Sequence, residues 1–414
     1  MAVTEWKLHK LDELGSVGRG KSRHRPRNDP SLYGGEFPFF QTGDIKAAHF
    51  RLTEYSQTYN DAGLAQSKLW QPDTLCITIA ANIADTAILG IPGCFPDSVV
   101  GFVADPEKAD VRFIKYYIDT LKLQMQSVSR GTTQDNLSVD KLLTFDFHVP
   151  PLSIQHHIAG ILSAFDDLIE NNLRRIRILE EMARALYREW FVHFRFPGHE
   201  TIPRVASPLG LIPKEWKVHH VTDFADFIRG IEPGSQSYAT LPSDGLVRFL
   251  RVGDFSKRDS NIYVREELLQ ARLLTPEDIA ITLDGSVGLV RLGLSGGYSS
   301  GIRKMVLRDP VRLGWSFAFQ LLCSEQVQAV IHAHSKGTTI KHAGSAIEKL
   351  QFAVPPPSLM SCFETVTAPM LRQRLNLDRA IRNLRQTRDL LLPRLLSDSI
   401  SFVNTEAGLM QGTS

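Results

Sequence analysis

Two kinds of hydrophobic periodicity alternate along this chain. Up to residue 149, short apolar runs rich in Val, Ile, Phe and Thr are broken every few residues by Gly, Asn and Asp, the pattern of strands and tight turns. After Pro150-Pro151 the apolar spacing becomes four and three: Phe165, Ile169, Asn172, Ile176, Leu179, Ala183, Leu186 and Trp190. This heptad seam predicts a helix over about 154–191, roughly 55 Å long. The strand-like pattern then returns. Beyond Pro355-Pro356-Pro357 a second seam follows: Met370, Arg374, Leu377, Ile381, Leu384, Arg388, Leu391 and Leu395. Its polar members, with Asn172, would set register at some cost in stability. Ser153 and Ser358 are expected as N-caps. A helix is also expected after Asp105-Pro106 and again after Asp309-Pro310, where Pro suits the first turn.

The two halves match residue by residue. Trp6-Lys7-Leu8-His9 pairs with Trp216-Lys217-Val218-His219, and Arg19-Gly20 with Arg229-Gly230, at an offset of 210. The same offset relates Phe39, Gly43 and Asp44 to Phe249, Gly253 and Asp254. Residues 72–78 pair with 276–282, Ser129–Thr133 with Ser335–Thr339, and Val149-Pro150-Pro151 with Val354-Pro355-Pro356. Coincidence between two strand-rich stretches would not keep this order, so the chain is an internal duplication. The reading is an α+β chain: a globular domain at 1–150, a long helix and linker at 151–205, a second domain at 206–355, a second helix at 356–398 and a flexible tail at 399–414. Two such helices most simply pair with each other as an antiparallel coiled coil, with a mixed α/β module at the start of each.

Composition narrows the possibilities without choosing among them. Hydrophobic residues make up 43% of the 414 and charged residues 22%, as in ordinary globular proteins. No apolar stretch is long enough to span a bilayer and the N-terminus lacks a signal-peptide core, so a cytoplasmic location is expected. The four cysteines form no CxxC pair. Net charge is +2; residues 1–150 hold 16 basic and 18 acidic side chains, and 206–356 hold 17 and 15. Any case for nucleic acid must therefore come from local clustering.

The search for catalytic chemistry returns little. Gly15–Ser22 satisfies the P-loop string, yet Pro26, Pro30 and Gly34-Gly35 follow where a helix is needed, and Lys21-Ser22 aligns with Ile231-Glu232. His332, His334 and Cys323 lack a fourth ligand, so no metal is expected. The copies share no acid, base or nucleophile constellation and no N/D/S-P-P-aromatic tetrad, so no catalytic residue is assigned. What recurs suits binding. Arg19, Lys21, Arg23, Arg25 and Arg27 place five cations in nine residues without an acid. Guanidinium groups match phosphate and base edges with paired donors. The second copy keeps Arg229 and gathers Arg248, Arg251, Lys257 and Arg258 around its Gly-Asp turn. Small loops with one cation recur as Arg130-Gly-Thr132-Thr133-Gln134 and Lys336-Gly-Thr338-Thr339, whose hydroxyls suit phosphate oxygens. Trp190, Phe191 and Phe194 form an aromatic end of the first helix, expected to be exposed and to bind a partner.

Taken together, the repeat, the Gly-Asp turn, the Gly-Thr-Thr loop and the proline pair before a heptad helix resemble the specificity subunits of type I restriction–modification systems. The stretch at 129–155 resembles that family's junction between target-recognition domain and conserved helix, and the stretch at 37–45, with Gln41 and Thr42, the early part of its recognition domain. The copies depart from each other at Ala81-Asn82-Ile83-Ala84 against Gly285-Ser286-Val287-Gly288, and at Gln134-Asp135-Asn136 against Ile340-Lys341-His342. These positions could hold different sequence preferences. The resemblance implies a non-catalytic chain that binds double-stranded DNA, each module reading half of a bipartite target and the helices fixing the gap. It implies two docked modification subunits supplying S-adenosylmethionine, and a motor–nuclease subunit using ATP and Mg. A self-sufficient restriction–methylation enzyme and a coiled-coil protein scaffold are the alternatives.

Overall fold

The computed structural model describes residues 6–130, 137–255, 260–337 and 341–397, without the side chains of 129 and 130. The chain forms two compact units, one of residues 1–171 with 381–414 and one of residues 172–380. These differ from the sequence boundaries because the division falls inside both long helices, not at the proline pairs.

In the first unit a five-stranded sheet runs in the order Gly15–Arg19, Val99–Ala104, Leu75–Thr78, Thr86–Leu89, Arg51–Leu52, antiparallel except for its last pair. The strand Leu75–Thr78 is buried throughout. Leu75 and Ile77 pack with Phe113, Ile114 and Ile118 of the helix Val111–Arg130, while Cys76 packs on the other side with Phe40, Trp70 and Phe95. A strand covered on both faces reads as a continuous apolar run, which accounts for the lack of alternation in the sequence there.

The second unit repeats this order: Ala225–Arg229, Ile302–Leu307, Ile279–Thr282, Val290–Arg291. It adds a sheet ordered Tyr263–Arg265, Leu246–Leu250, Gly296–Tyr298, Leu273–Leu274. The outermost matches of each copy are bonded to each other. Lys7 pairs with Val149 and Lys217 with Val354, so the Trp-Lys strand and the strand before the prolines close each module the same way.

The module helices differ from expectation. The first begins at Val111, not at Pro106, and Asp110 accepts from Arg112 N at 2.8 Å at its start. The second copy splits it into Trp315–Cys323 and Glu325–Ala333, with Ser324 extended between them and capping the later helix. The long helices run Leu152–Tyr187, continued by a wide turn at Arg188–Val192, and Pro357–Leu395. Ser153 and Ser358 thus lie inside the first turn and are not caps. Pro357 is itself the first residue of the second helix, where the missing N–H costs nothing, and Pro151 immediately precedes the first.

Each seam residue is buried or half-buried. Within the first unit the segments 152–171 and 381–397 carry a buried network. Tyr116 Oη donates to Asp166 at 2.5 Å, and Arg388 bonds the same carboxylate. Within the second unit Arg374 Nε donates to Glu180 at 3.0 Å and its Nη2 lies 3.2 Å from Asp378. The two arginine seam positions are therefore ion pairs with different partners in the two units.

The aromatic end of the first helix is corrected by the structure. Trp190 and Phe191 are buried in the second unit's own core, with Phe191 4.8 Å from Phe317 and 4.9 Å from Phe363 between ring centroids. Phe194, at φ 56°, turns the chain back and sets its ring 5.4 Å from Trp216. These rings fill a core; they are not an exposed partner site. The exposed apolar side chains on that helix are Leu168, Ile178 and Met182.

Candidate nucleic-acid interface

The Arg-Gly pair plays the same structural part in both copies. Arg19 ends a strand opposite Val100, and its Nε donates to the carbonyl of Asp97. Arg229 ends the equivalent strand opposite Arg303 and donates in the same way to the carbonyl of Ser300 at 3.3 Å. A side chain at Gly20 would collide with the carbonyls of Phe95 and Pro96, and one at Gly230 with those of Tyr298 and Ser299. The glycine allows this close crossing, and the arginine ties the neighbouring turn while keeping its outer N–H groups.

Beyond Gly20 the basic segment of the first unit is pinned by its backbone. Lys21 N donates to the carbonyl of Phe95 at 3.1 Å, and Gln66 accepts from Arg23 N at 2.6 Å and His24 N at 3.1 Å. Arg27 pairs with Asp97 at 2.5 Å, Arg25 lies 3.9 Å from the same carboxylate, and His24 lies 2.9 Å from Asp29. One acid thus serves Arg25 and Arg27, while Lys21 and Arg23 are exposed. Lys68, which the sequence reading missed, joins them: its Nζ stands 3.4 Å over the Trp70 ring. Burial, and after it the charge of Lys21, lowers the Lys68 pKa. Its signal was a Lys-x-Trp spacing far along the chain, unreadable without the fold. The P-loop string itself begins as the strand Gly15–Arg19, whose N–H groups serve a sheet and leave no phosphate cradle.

Gln41 and Arg251 occupy equivalent positions before short helices, Thr42–Ala47 and Val252–Phe255. Asp44 accepts from Gln41 N at 2.7 Å, and Asp254 accepts from both N and Nε of Arg251 at 3.1 Å. The Gly-Asp turn is thus a self-capped helix start. The side chain of Gln41 continues to Gln57 at 2.7 Å.

Between strands, Thr78 and Thr282 fold equivalent turns: each hydroxyl donates to the carbonyl four residues on, of Asn82 or Ser286, and accepts from Asp85 N or Leu289 N at 3.0 Å. Lys46 reaches from the short helix to Asn82 at 3.1 Å, so the first unit brings Thr42 and Asn82 into one region.

The second unit gathers more of the expected residues. Gly285 N donates to the carbonyl of Lys341 at 2.8 Å, and Lys336 and His342 exchange backbone bonds at 3.0 and 2.7 Å. Ser286, Lys336 and Lys341 therefore converge. Val252, next to Arg251, lies against Gly285 and Gly301, and Glu232 holds Ser300 at 2.9 Å, which brings Arg229 to the same cluster. Arg248 is exposed on the strand opposite Tyr263. The side chain of Arg130, together with Thr132, Thr133, Gln134, Lys257, Arg258, Thr338 and Thr339, and the tail at 399–414, lie outside the described residues. Among the described residues no helix is long and apolar enough to cross a membrane.

Each module presents cations and small polar side chains around its strand-end turns, residue types that suit phosphate and base edges. Residues 4–181 match the family model described as the type I restriction modification DNA specificity domain. The chain is 24% identical to the type I restriction enzyme MjaIX specificity subunit of Methanocaldococcus jannaschii, over 95% of this chain and 93% of that one. It is 20% identical to the HindI specificity subunit of Haemophilus influenzae, over 96% and 100%. Its fold is similar to the crystal structure of the type I restriction–modification S subunit from M. genitalium, with TM-score 0.63, 15% identity and 97% and 98% coverage. Residues 4–181 thus match that family's DNA specificity domain, and the chain is similar along nearly its whole length to type I restriction enzyme specificity subunits.

Proposed function

We propose that this chain selects the DNA site of a type I restriction–modification complex, each module reading one half of a split target. The observation that carries this is the pair of modules with one strand order and unlike turns. The scaffold recurs, while Asn82 and Ser286, Gln41 and Arg251, and Lys21 and Ile231 differ. Direct readout needs different donors and acceptors for different bases, on a common frame that holds them to the groove. The chain itself is the non-catalytic member of that complex and works in the cytoplasm, where the DNA is.

In this reading the long helices pair antiparallel and fix the gap between the two half-sites. Leu168, Ile178 and Met182 of the first helix, with Arg174 and Arg175, offer surface to two modification subunits. Those subunits supply S-adenosylmethionine and adenine methylation, and a motor–nuclease subunit brings ATP and Mg.

Two measurements test the proposal. Single-molecule sequencing of host DNA should give methylated adenines in a motif of two defined halves and an unspecified gap; a continuous motif would overturn it. In the assembled complex, Lys21→Ala with Arg23→Ala should lower the salt slope of DNA binding by about 2, at roughly 0.9 per phosphate. An unchanged slope would remove the basic segment from the interface.

A further inference from the structure

The turn Asp284–Gly288 of the second unit is held by a charged cluster that the first unit lacks. Asp284 Oδ1 lies 2.8 Å from His342 Nδ1, and its other oxygen lies 4.0 Å from Nη2 of Arg303. Arg303 is buried, with its Nη1 on the carbonyls of Ser300 and Ile302. Around them the backbone closes a ring: Gly285 N to the Lys341 carbonyl at 2.8 Å, Ala343 N to the Leu283 carbonyl at 2.7 Å, and Leu283 N to the Gly301 carbonyl at 2.9 Å. Asp284 thus stands where the turn carrying Ser286, the loop carrying Lys336 and Lys341, and the strand start beside Ser300 meet.

The same backbone closure exists in the first unit, where Leu137 N donates to the Ile79 carbonyl at 2.9 Å. Its side chains are different. Ala80 stands in place of Asp284, Val100 in place of Arg303 and Asn136 in place of His342. There the turn is tied instead by Lys46 to Asn82 at 3.1 Å, Lys122 to Asp85 at 2.5 Å and Gln126 to the Ile83 carbonyl at 3.1 Å.

We infer that Asp284, bridging Arg303 and His342, is a positioning residue that fixes the reading turn and, through His342, the adjoining Lys336 and Lys341 of the second module alone. The inference rests on the DNA-reading function proposed above. A carboxylate between a buried guanidinium and an exposed imidazole ties the turn to the strand of Arg303 on one side and to His342 on the other. Without it Lys336, Lys341 and His342 keep their backbone bonds but lose the lateral anchor at His342, and groups placed for base edges drift. A shift of about an ångström removes bidentate discrimination while leaving phosphate attraction in place. The consequence is confined to one half of the target, since the first module's turn hangs on other residues.

The experiment replaces the chromosomal gene in the native host by Asp284→Ala, His342→Leu or His342→Asn and reads the methylated motif by single-molecule sequencing. Asn can present its amide where Nδ1 stands, and it is the residue the first copy carries. Asp284→Ala and His342→Leu should lower base discrimination at positions of one half by about tenfold, with the other half and the gap unchanged. His342→Asn should restore the wild-type motif. Fading of both halves together, no change in either, or His342→Asn behaving as His342→Leu would overturn the inference. Thermal unfolding of each purified complex separates lost positioning from lost folding: a midpoint near wild type is expected. A wild-type motif that is not split would instead sink the DNA-reading proposal itself.

Discussion

At the scale of single residues, the two copies explain each other's exceptions. Gly285 and Gly288 adopt φ of 71° and 86°, and the aligned Ala81 and Ala84 adopt 63° and 60°. The left-handed conformation costs an L-residue with a Cβ roughly 1–2 kcal/mol. The first turn carries that strain twice, and Ala84 is fully buried while Ala81 is exposed. Ala81→Gly should therefore stabilise the first unit by about 1 kcal/mol, part of the relief being offset by glycine's greater unfolded entropy. Gly285→Ala should destabilise the second unit by a similar amount. Urea melts of the two variants decide it: opposite shifts of midpoint at constant slope are expected, and shifts of the same sign would refute the equivalence of the turns. The second turn is legible from its glycines. The first is not, because Ala-Asn-Ile-Ala announces no positive φ; only the alignment between halves points to it. Lys68 was illegible for a different reason, since the fold alone brings it near Lys21, far away in the sequence.

At the scale of elements, periodicity identified the buried face of each helix but not what covers it. The heptad seam named the right residues, from Ile169 and Ile176 through Ile381 and Leu395. Its end was misread: Trp190 and Phe191 continue the stripe into the module's own core, where Trp216, Phe317 and Phe363 receive them. The break at Ser324 carried no Gly or Pro, so nothing local marked it. The polar seam positions looked like register devices, and the structure adds the partners of the two arginines. Asp166 is 1% exposed and is held by Arg388 and Tyr116, whose own pKa is raised, chiefly by burial and next by Asp166. Removing one member of a buried pair leaves an uncompensated charge, at about 3–5 kcal/mol. Arg388→Leu should destabilise by that order, whereas Arg388→Leu with Asp166→Leu should cost far less. Denaturant unfolding of the four proteins in the cycle measures the coupling. Equal losses in the single and double variants would show that the pair contributes packing and not charge compensation.

At the scale of the whole molecule, the repeat in sequence and the units in space do not coincide. Each sequence copy is a module followed by a helix, yet the first compact unit takes residues 1–171 and returns to the chain for 381–414. Leu395 is part of the first unit's core with Phe113, Phe147 and Leu162, and Leu391, Leu392 and Leu396 pack against it. The reason is physical: a lone amphipathic helix cannot cover its apolar face, so each half-helix is completed by a segment from the other copy. The last described turns of the chain thus belong energetically to its first module, more than 200 residues earlier. A chain ended at residue 380 should keep the second unit, whose residues 172–380 are contiguous, and lose the first. Hydrogen exchange in the truncated protein should show protection retained at Ile279–Thr282 and lost at Leu75–Thr78, although the cut lies beyond both strands. Loss of protection in the nearer strand alone, or in neither, would show that the first module closes its core without the distant helix. Within the proposed function the same truncation should erase the half-motif read by the first module, because a reading turn is only as well placed as the core beneath it.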